Sequence, residues 1–203
     1  MDGPAAGGGV RGANRIKVEV GKFKGLRLGG MSKPLKIDEV VVRRAREADA
    51  AAMADYMAAL TAERLDTITS REAPSVEDER DWVLRAGFAE RGMVLMAEVG
   101  GEVVGLLDFW GGERADNRHA GYFGMSVAKA WRGRGVGRRM LRTVIDEARG
   151  WPGFCRIELE CVAWNTPAIG LYESLGFVVE GRMVKAINLR GVPEDMLVMA
   201  LTW

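Results

Sequence analysis

The sequence predicts an α/β protein, an α+β sandwich in which about four helices pack on a mixed, mostly antiparallel central sheet of six to seven strands. Three observations carry this. Short apolar runs with period-two alternation, such as "FCRIELECV", recur along the chain and are too short for helices. Between them lie segments of helical period: Met140, Leu141, Val144, Ile145 and Ala148 fall on one face, with Arg138, Arg139, Arg142, Asp146 and Glu147 off it. Strands and helices are interleaved in mixed order with no internal repeat, which suits one layered domain.

Val40 to Arg44 reads as the first strand, and Asp49 as the cap of a helix running to about Arg64. "PSVEDERDWVLRAGFAERG" reads as a second helix, opened by Pro74 and Ser75, with acids in its first turn and Gly92 at its close. Met93–Val99 and Glu102–Phe109 are strands joined by a turn at Gly100-Gly101. "HAGYFGMSV" gives a strand ending near Val127. "TPAIGLYESLGF" is a short helix with proline near its start and Gly176 at its end. Two last strands, around Val178–Ala186 and Met196–Leu201, flank "NLRGVPED".

The 203 residues suit one domain with a tail. Residues 1–30 are rich in glycine and basic side chains and poor in large apolar ones, so they cannot offset their ordering entropy and are expected to be a disordered extension; residues 31–203 are the expected single domain. A formal net charge of +1 gives no overall field toward nucleic acid or an anionic membrane. The two cysteines, Cys155 and Cys161, are six residues apart in a strand, about 20 Å, and read as reduced core residues. No apolar run reaches membrane-span length and no signal-peptide pattern is present, so the expectation is a cytoplasmic protein without membrane contact. No metal site is called for.

The stretch "SVAKAWRGRGVGRRML" sets Gly133, Gly135 and Gly137 among arginines between a strand and an amphipathic helix. A Walker loop requires a lysine after its glycines, and none follows here. A dinucleotide fingerprint requires GxGxxG directly after its strand; Arg138 takes the third glycine's place and "AKAWR" intervenes. What remains is a turn whose backbone N–H groups face an anion, backed by the positive end of the next helix and by Arg132 and Arg134. A pyrophosphate suits such a cradle, and a tight turn with solvated arginines is the plainer alternative.

Val127, Arg132, Gly135 and Gly137 resemble the acyl-CoA-binding motif of the GCN5-related N-acetyltransferases, with its [RQ]-x-x-G-x-[GA] core after a strand valine. "LECVAWNTPAIGLYESLGF" resembles the second signature of that family through Asn165, Ala168, Tyr172, Gly176 and Phe177. The closing "EGRMVKAINLRGVPEDMLVMAL" is similar to the C-terminal hairpin of the subgroup holding ribosomal-protein and spermidine acetyltransferases. The resemblance covers about residues 40–203. It implies an acetyl-CoA-dependent N-acetyltransferase domain that transfers directly to a primary amine, of a small molecule or of a protein N-terminus, in a ternary complex. It implies that Met125, Ser126 and Val127 pair with the pantetheine arm, that residues 132–137, Val136 among them, surround the phosphates, and that Asn165 touches the same cosubstrate. The crevice is expected where two parallel strands, Tyr122–Val127 and Arg156–Val162, splay apart. Relatives often form homodimers through the final strands.

Acetyl transfer to an amine requires an ammonium to lose a proton, an oxyanion donor and a proton for the leaving thiolate. Tyr172 matches the family's acid, and a phenol can donate to a thiolate. Glu160 stands five residues before Asn165, where the resemblance places a base. Alternation puts Glu158 and Glu160 on one strand face roughly 7 Å apart, where mutual repulsion would lift a carboxylate pKa; two solvated glutamates are the alternative. His119, the only histidine, and a water chain are the other routes. Trp131 and Trp164 flank these motifs, and Trp110 ends the third strand, near where the resemblance implies that the acceptor enters. The acid that the subgroup often carries in the strand leading to Val127 is absent, since Tyr122 and Phe123 stand there, and "RLDTITSREAPS" is expected to form an acceptor wall of mixed charge.

Two other classes compete. A catalytically silent acyl-CoA sensor would keep the cosubstrate site alone, and the intact Tyr172 speaks against it. A nucleic-acid module would use Arg132, Arg134, Arg138, Arg139 and Arg142, against which stand the near-neutral charge and the lack of interleaved aromatics. A chain starting at Met31 is expected to melt with the same cooperative circular-dichroism transition as the full sequence; loss of that transition would place residues 1–30 in the folded domain.

Overall fold

The structure, a computed structural model, describes residues 39–63 and 72–203, all within one compact unit, Leu35–Trp203. The expected extension, residues 1–30, and most of the expected acceptor wall, residues 64–75, lie outside the described residues. In chain order the elements are β1 (Val41–Arg44), α1 (Ala50–Ala62), α2 (Val76–Phe88), β2 (Gly92–Val99), β3 (Glu102–Gly111), β4 (Ala120–Val127), α3 (Val136–Arg149), β5 (Arg156–Val162), α4 (Thr166–Glu173), β6 (Val178–Leu189) and β7 (Val192–Thr202). The sheet order is β1-β2-β3-β4-β5-β7-β6. Only β4 and β5 are parallel; every other neighbouring pair is antiparallel.

Each face of the sheet buries its own apolar set. On one face, the five predicted α3 residues join Leu107 and Phe109 of β3 and Ile157, Leu159 and Cys161 of β5. Tyr172, Ala168 and Ile169 bring α4 onto the same face. On the other face, Met53, Tyr56 and Leu60 of α1 and Ala86 of α2 close over Val94, Met96, Val103 and Leu106. The β2 strand is thus buried nearly throughout, while β5 alternates as expected. Among the described residues no helix is long and apolar enough to cross a membrane, and both cysteines are free.

Several boundaries differ from the sequence reading for identifiable reasons. Asp49 does not cap α1 through its side chain. Its carboxylate instead accepts from the Arg46 backbone N–H at 2.8 Å and from the Arg43 guanidinium at 2.7 and 2.9 Å, closing a short 3₁₀ turn ahead of the helix. Those guanidinium bonds hold the Asp49 carboxyl below the usual carboxylate range. Gly92 does not close α2, which stops at Phe88 when Ala89 turns extended; Gly92 opens β2. The final hairpin is longer than expected, because Arg190 and Gly191 both adopt positive φ and form a tight turn, so that Asn188 pairs with Pro193 and Ile187 with Glu194. Within this extension Ile187 is half-buried and Leu189 buried, while Asn188, Val192 and Pro193 are exposed. Within it the register breaks between Met183 and Ile187, where Asp195 accepts from the Lys185 backbone N–H and from Arg182.

The feature that positions the site is the short reach of the parallel pair. β4 and β5 are in register only at Ala120↔Arg156, Gly121↔Ile157 and Tyr122↔Glu158. Beyond Tyr122, β4 continues with β3, and β5 continues with β7.

The start of α2 rests on reciprocal bonds. Ser75 Oγ accepts from the Asp78 N–H at 3.1 Å, and the Asp78 carboxylate accepts from the Ser75 N–H at 2.8 Å. Replacing Ser75 with Ala is expected to cost about 1 kcal/mol in urea unfolding; an unchanged midpoint would mean that packing alone fixes this terminus.

Candidate active site

Where β4 and β5 part, a crevice of about 970 Å³ opens. Phe123 to Val127 form its β4 wall, and Leu159 to Val162 its β5 wall. Having no β5 partner, this stretch of β4 keeps outward-facing backbone N–H and C=O groups available to an extended amide-bearing ligand.

The glycine loop forms one end. After a 3₁₀ turn at Lys129–Trp131 the chain passes through Gly133 at φ 71° and Gly135 at φ 87°, left-handed conformations that strongly favour glycine. Val136 then starts α3, and Gly135 to Arg138 line the crevice at the helix's positive end. A Cβ on Gly137 would stand 3.2 Å from Met125 and 3.3 Å from Leu171, so the helix start sits closely on β4 and α4.

The loop arginines are occupied. Arg132 donates to the Val127 carbonyl at 2.9 Å and pairs with Glu63, at the end of α1, at 2.7 Å. Arg134 lies over the Trp131 ring at 5.4 Å, and Arg138 donates to Ser174 Oγ at 2.6 Å. The arginines thus brace the loop against β4, α1, Trp131 and α4, and the start of α3 presents its positive end to the crevice.

Tyr172 enters the crevice from α4, edge-on to Phe123 and tilted against Phe177, with 5.9 Å between ring centroids in each pair. Burial, and secondarily Cys161, raise its phenol pKa well above the usual value. The hydroxyl thus stays protonated at neutral pH. Asn165 caps α4, its side-chain oxygen accepting from the Ala168 N–H at 3.4 Å, and also lines the crevice.

Of the residues singled out in the sequence, Met125, Ser126, Val127, Arg132, Gly133 and Gly135 line this one crevice. Val136, Gly137, Glu160, Asn165 and Tyr172 do so as well; Arg134 does not. Glu160 is exposed on the β5 lip. The repulsion expected from Glu158 is relieved at its source, because Arg156 donates to Glu158 at 3.0 Å and also binds Glu180. His119 is exposed at the paired end of β4, away from the lining, and Trp164 is outside the lining too. Trp131 is buried and lines the crevice.

Sequence reasoning missed the polar groups on the α1/α2 face. Tyr56 of α1 is hydrogen-bonded to Ser126 Oγ at 3.1 Å, and burial pushes its phenol up to about 12. Asp108 of β3 and Glu79 of α2 lie on this face as well, Glu79 being the one buried charged residue among the described residues. The interruption of "LLDFW" by an acid was a signal for Asp108, whereas Glu79 was indistinguishable from the other acids of a helix first turn.

The sequence and the fold both have counterparts among known proteins. The family model of the acetyltransferase (GNAT) family matches residues 56–177. L-amino acid N-acetyltransferase AaaT of Escherichia coli (strain K12) is 35% identical over 106 residues, which span 52% of this chain and 65% of that relative, a little under two thirds of its length. Among solved structures, ribosomal-protein-alanine N-acetyltransferase from Brucella melitensis aligns with a TM-score of 0.72 at 27% identity, over 80% of this chain and 99% of that one. The acetyltransferase yncA from Salmonella typhimurium, described as putative and solved with acetyl-CoA, aligns with a TM-score of 0.72 at 25% identity, over 81% and 94%. With the family match covering more than half of the sequence, and with a seven-stranded sheet whose parallel pair parts over a glycine loop, this chain belongs to the GNAT family of acetyltransferases.

Proposed function

We propose that the chain is an acetyl-CoA-dependent N-acetyltransferase that moves the acetyl group directly to a primary amine in a ternary complex. One observation carries the reading: a single crevice has the glycine loop and the start of α3 at one end, a strand edge without a β5 partner along its wall and a protonated phenol further along. These residues fit acetyl-CoA. The amides of 133–137 suit its pyrophosphate, and the Met125–Val127 edge suits the two amides of its pantetheine arm. Two relatives named for acetylating amino acids and ribosomal-protein alanine support an amine acceptor.

In this reading an N–H group of the open β4 edge donates to the developing oxyanion. Tyr172 donates its phenolic proton to the sulfur as the thiolate departs and recovers one from solvent; its raised pKa keeps the phenol in the acid form at neutral pH. Glu160, on the solvent-facing lip, accepts the proton shed by the acceptor, directly or through water. A thiol-release assay with acetyl-CoA and a panel of amines tests the whole: binding without turnover would select the silent sensor, and salt-sensitive DNA binding without coenzyme A binding would select the nucleic-acid module.

Tyr172→Phe is expected to lower kcat by about 10²-fold or more while leaving acetyl-CoA affinity within about threefold; equal losses in both would assign the tyrosine to binding. Gly135→Asp is expected to abolish acetyl-CoA binding in calorimetry, because it strains a left-handed position and adds negative charge at the cradle. Unchanged affinity would move the phosphates elsewhere.

A further inference from the structure

We propose that the Phe123 ring, with Leu159 on the opposite wall, closes the inner end of the crevice just beyond the thioester, so that this enzyme takes acetyl and excludes longer straight-chain acyl groups. The proposal rests on the acetyltransferase reading and deepens it by naming the acyl group accepted and the side chain that sets its limit.

The two ends of the crevice differ. Pairing between β4 and β5 stops at Tyr122↔Glu158, so Phe123 and Leu159 are the first residues on either wall past the vertex. Both line the crevice, and both are buried. Outward from the vertex the walls continue through Met125 on β4 and Cys161 on β5, and the glycine loop follows beyond Val127. Alternation turns Phe123 and Met125 to the α3/α4 face, Phe123 into ring contact with Tyr172 and Met125 against Gly137. Cys161 is close enough to Tyr172 to affect its phenol. A thioester with its phosphates at the loop therefore lays its arm past Met125 and its sulfur beside Tyr172. Its acyl carbons then point at the vertex.

Growth past the vertex is blocked on three sides. On the α3/α4 face, Phe123, Tyr172 and Phe177 form a closed triangle of rings. Their centroids are 5.9 Å apart for Phe123–Tyr172, 6.1 Å for Phe123–Phe177 and 5.9 Å for Tyr172–Phe177. Phe177 is only 2% exposed, so Phe123 is held from behind. A ring packed edge-on against two others in a dense interior cannot swing aside without displacing both. On the other face of β4, Gly124 brings no side chain, yet the space is filled: Asp108 Oδ1 lies 2.8 Å from where a Gly124 Cβ would stand. A carboxylate there is an unfavourable neighbour for an apolar chain. Straight ahead, the pairs Tyr122↔Glu158 and Gly121↔Ile157 close the sheet. An acetyl methyl ends against Phe123, and each further methylene must force that ring off its rotamer. An open-ended crevice would act with the opposite sign, tightening binding by about fourfold per buried methylene.

Calorimetry on the full-length chain with coenzyme A, acetyl-CoA, propionyl-CoA and butyryl-CoA tests this without an acceptor amine. The wild-type Kd is expected to rise by about tenfold or more from acetyl-CoA to butyryl-CoA; an equal or tighter Kd for butyryl-CoA would overturn the proposal. In Phe123→Leu and Phe123→Ala that ratio is expected to fall by about tenfold, through butyryl-CoA binding that tightens relative to coenzyme A, which carries no acyl group. An unchanged ratio, or a parallel weakening of all four ligands, would overturn it, because a merely structural ring shifts them together. Wild-type protein that binds none of the four removes the acetyltransferase reading itself, whereas protein that binds acetyl-CoA and butyryl-CoA alike removes this proposal alone. Should neither variant fold, the wild-type series decides, with propionyl-CoA expected between acetyl-CoA and butyryl-CoA; affinity that stays flat or rises along the series would overturn the proposal.

Discussion

The working part of this molecule depends on the early end of one strand pairing. β4 and β5 share three registered pairs and then part, each kept extended by its outer neighbour. A parallel pair in a sheet interior ordinarily satisfies its backbone groups along its full length, and opening it leaves N–H and C=O groups that must find other partners. The antiparallel ladders to β3 and β7 keep the walls rigid in spite of the gap. The opening is thus a fixed property of the sheet, and the glycine loop and α4 are fastened to its two sides.

The two faces of the sheet divide the chemistry. On the α3/α4 side the crevice is walled by rings and aliphatic groups, which exclude water and keep a phenol protonated. On the α1/α2 side the same strands carry a hydroxyl and carboxyls among indoles. Period-two alternation in β4 turns adjacent residues to these two different environments, Phe123 to the rings and Ser126 to Tyr56. The Arg132–Glu63 ion pair joins the loop at one end of the crevice to the end of α1, so these environments share a common support.

Much of this was legible in the sequence because it is local. The alternation of Ile157, Leu159 and Cys161, the apolar stripe of α3, the loop glycines and the Asn165–Tyr172 spacing each lie within about a dozen residues. What stayed hidden depends on distant partners. Arg132 read as part of the glycine loop, and its pairing with Glu63, 69 residues away, had no local signal. Glu158 read as a repulsive neighbour of Glu160 until Arg156 was seen to pair with it. Asp49 read as a helix cap, although Arg43 and Arg46 draw its carboxylate to a different turn. Glu79 resembled its solvated neighbours, and only the packing of α2 on the sheet buries it. The length of the final hairpin followed from the positive-φ turn at Arg190 and Gly191, a backbone conformation that the run "NLRGVPED" did not announce.

The irregularity of β6 has an effect beyond its own geometry. This strand ends the sheet, and a long flat border of free peptide groups invites foreign chains to continue the ladder. The register break between Met183 and Ile187, where Asp195 accepts from the Lys185 N–H, divides that border into two short paired stretches. A stray strand could follow either stretch for only a few residues, which makes this edge a poor template for edge-to-edge growth.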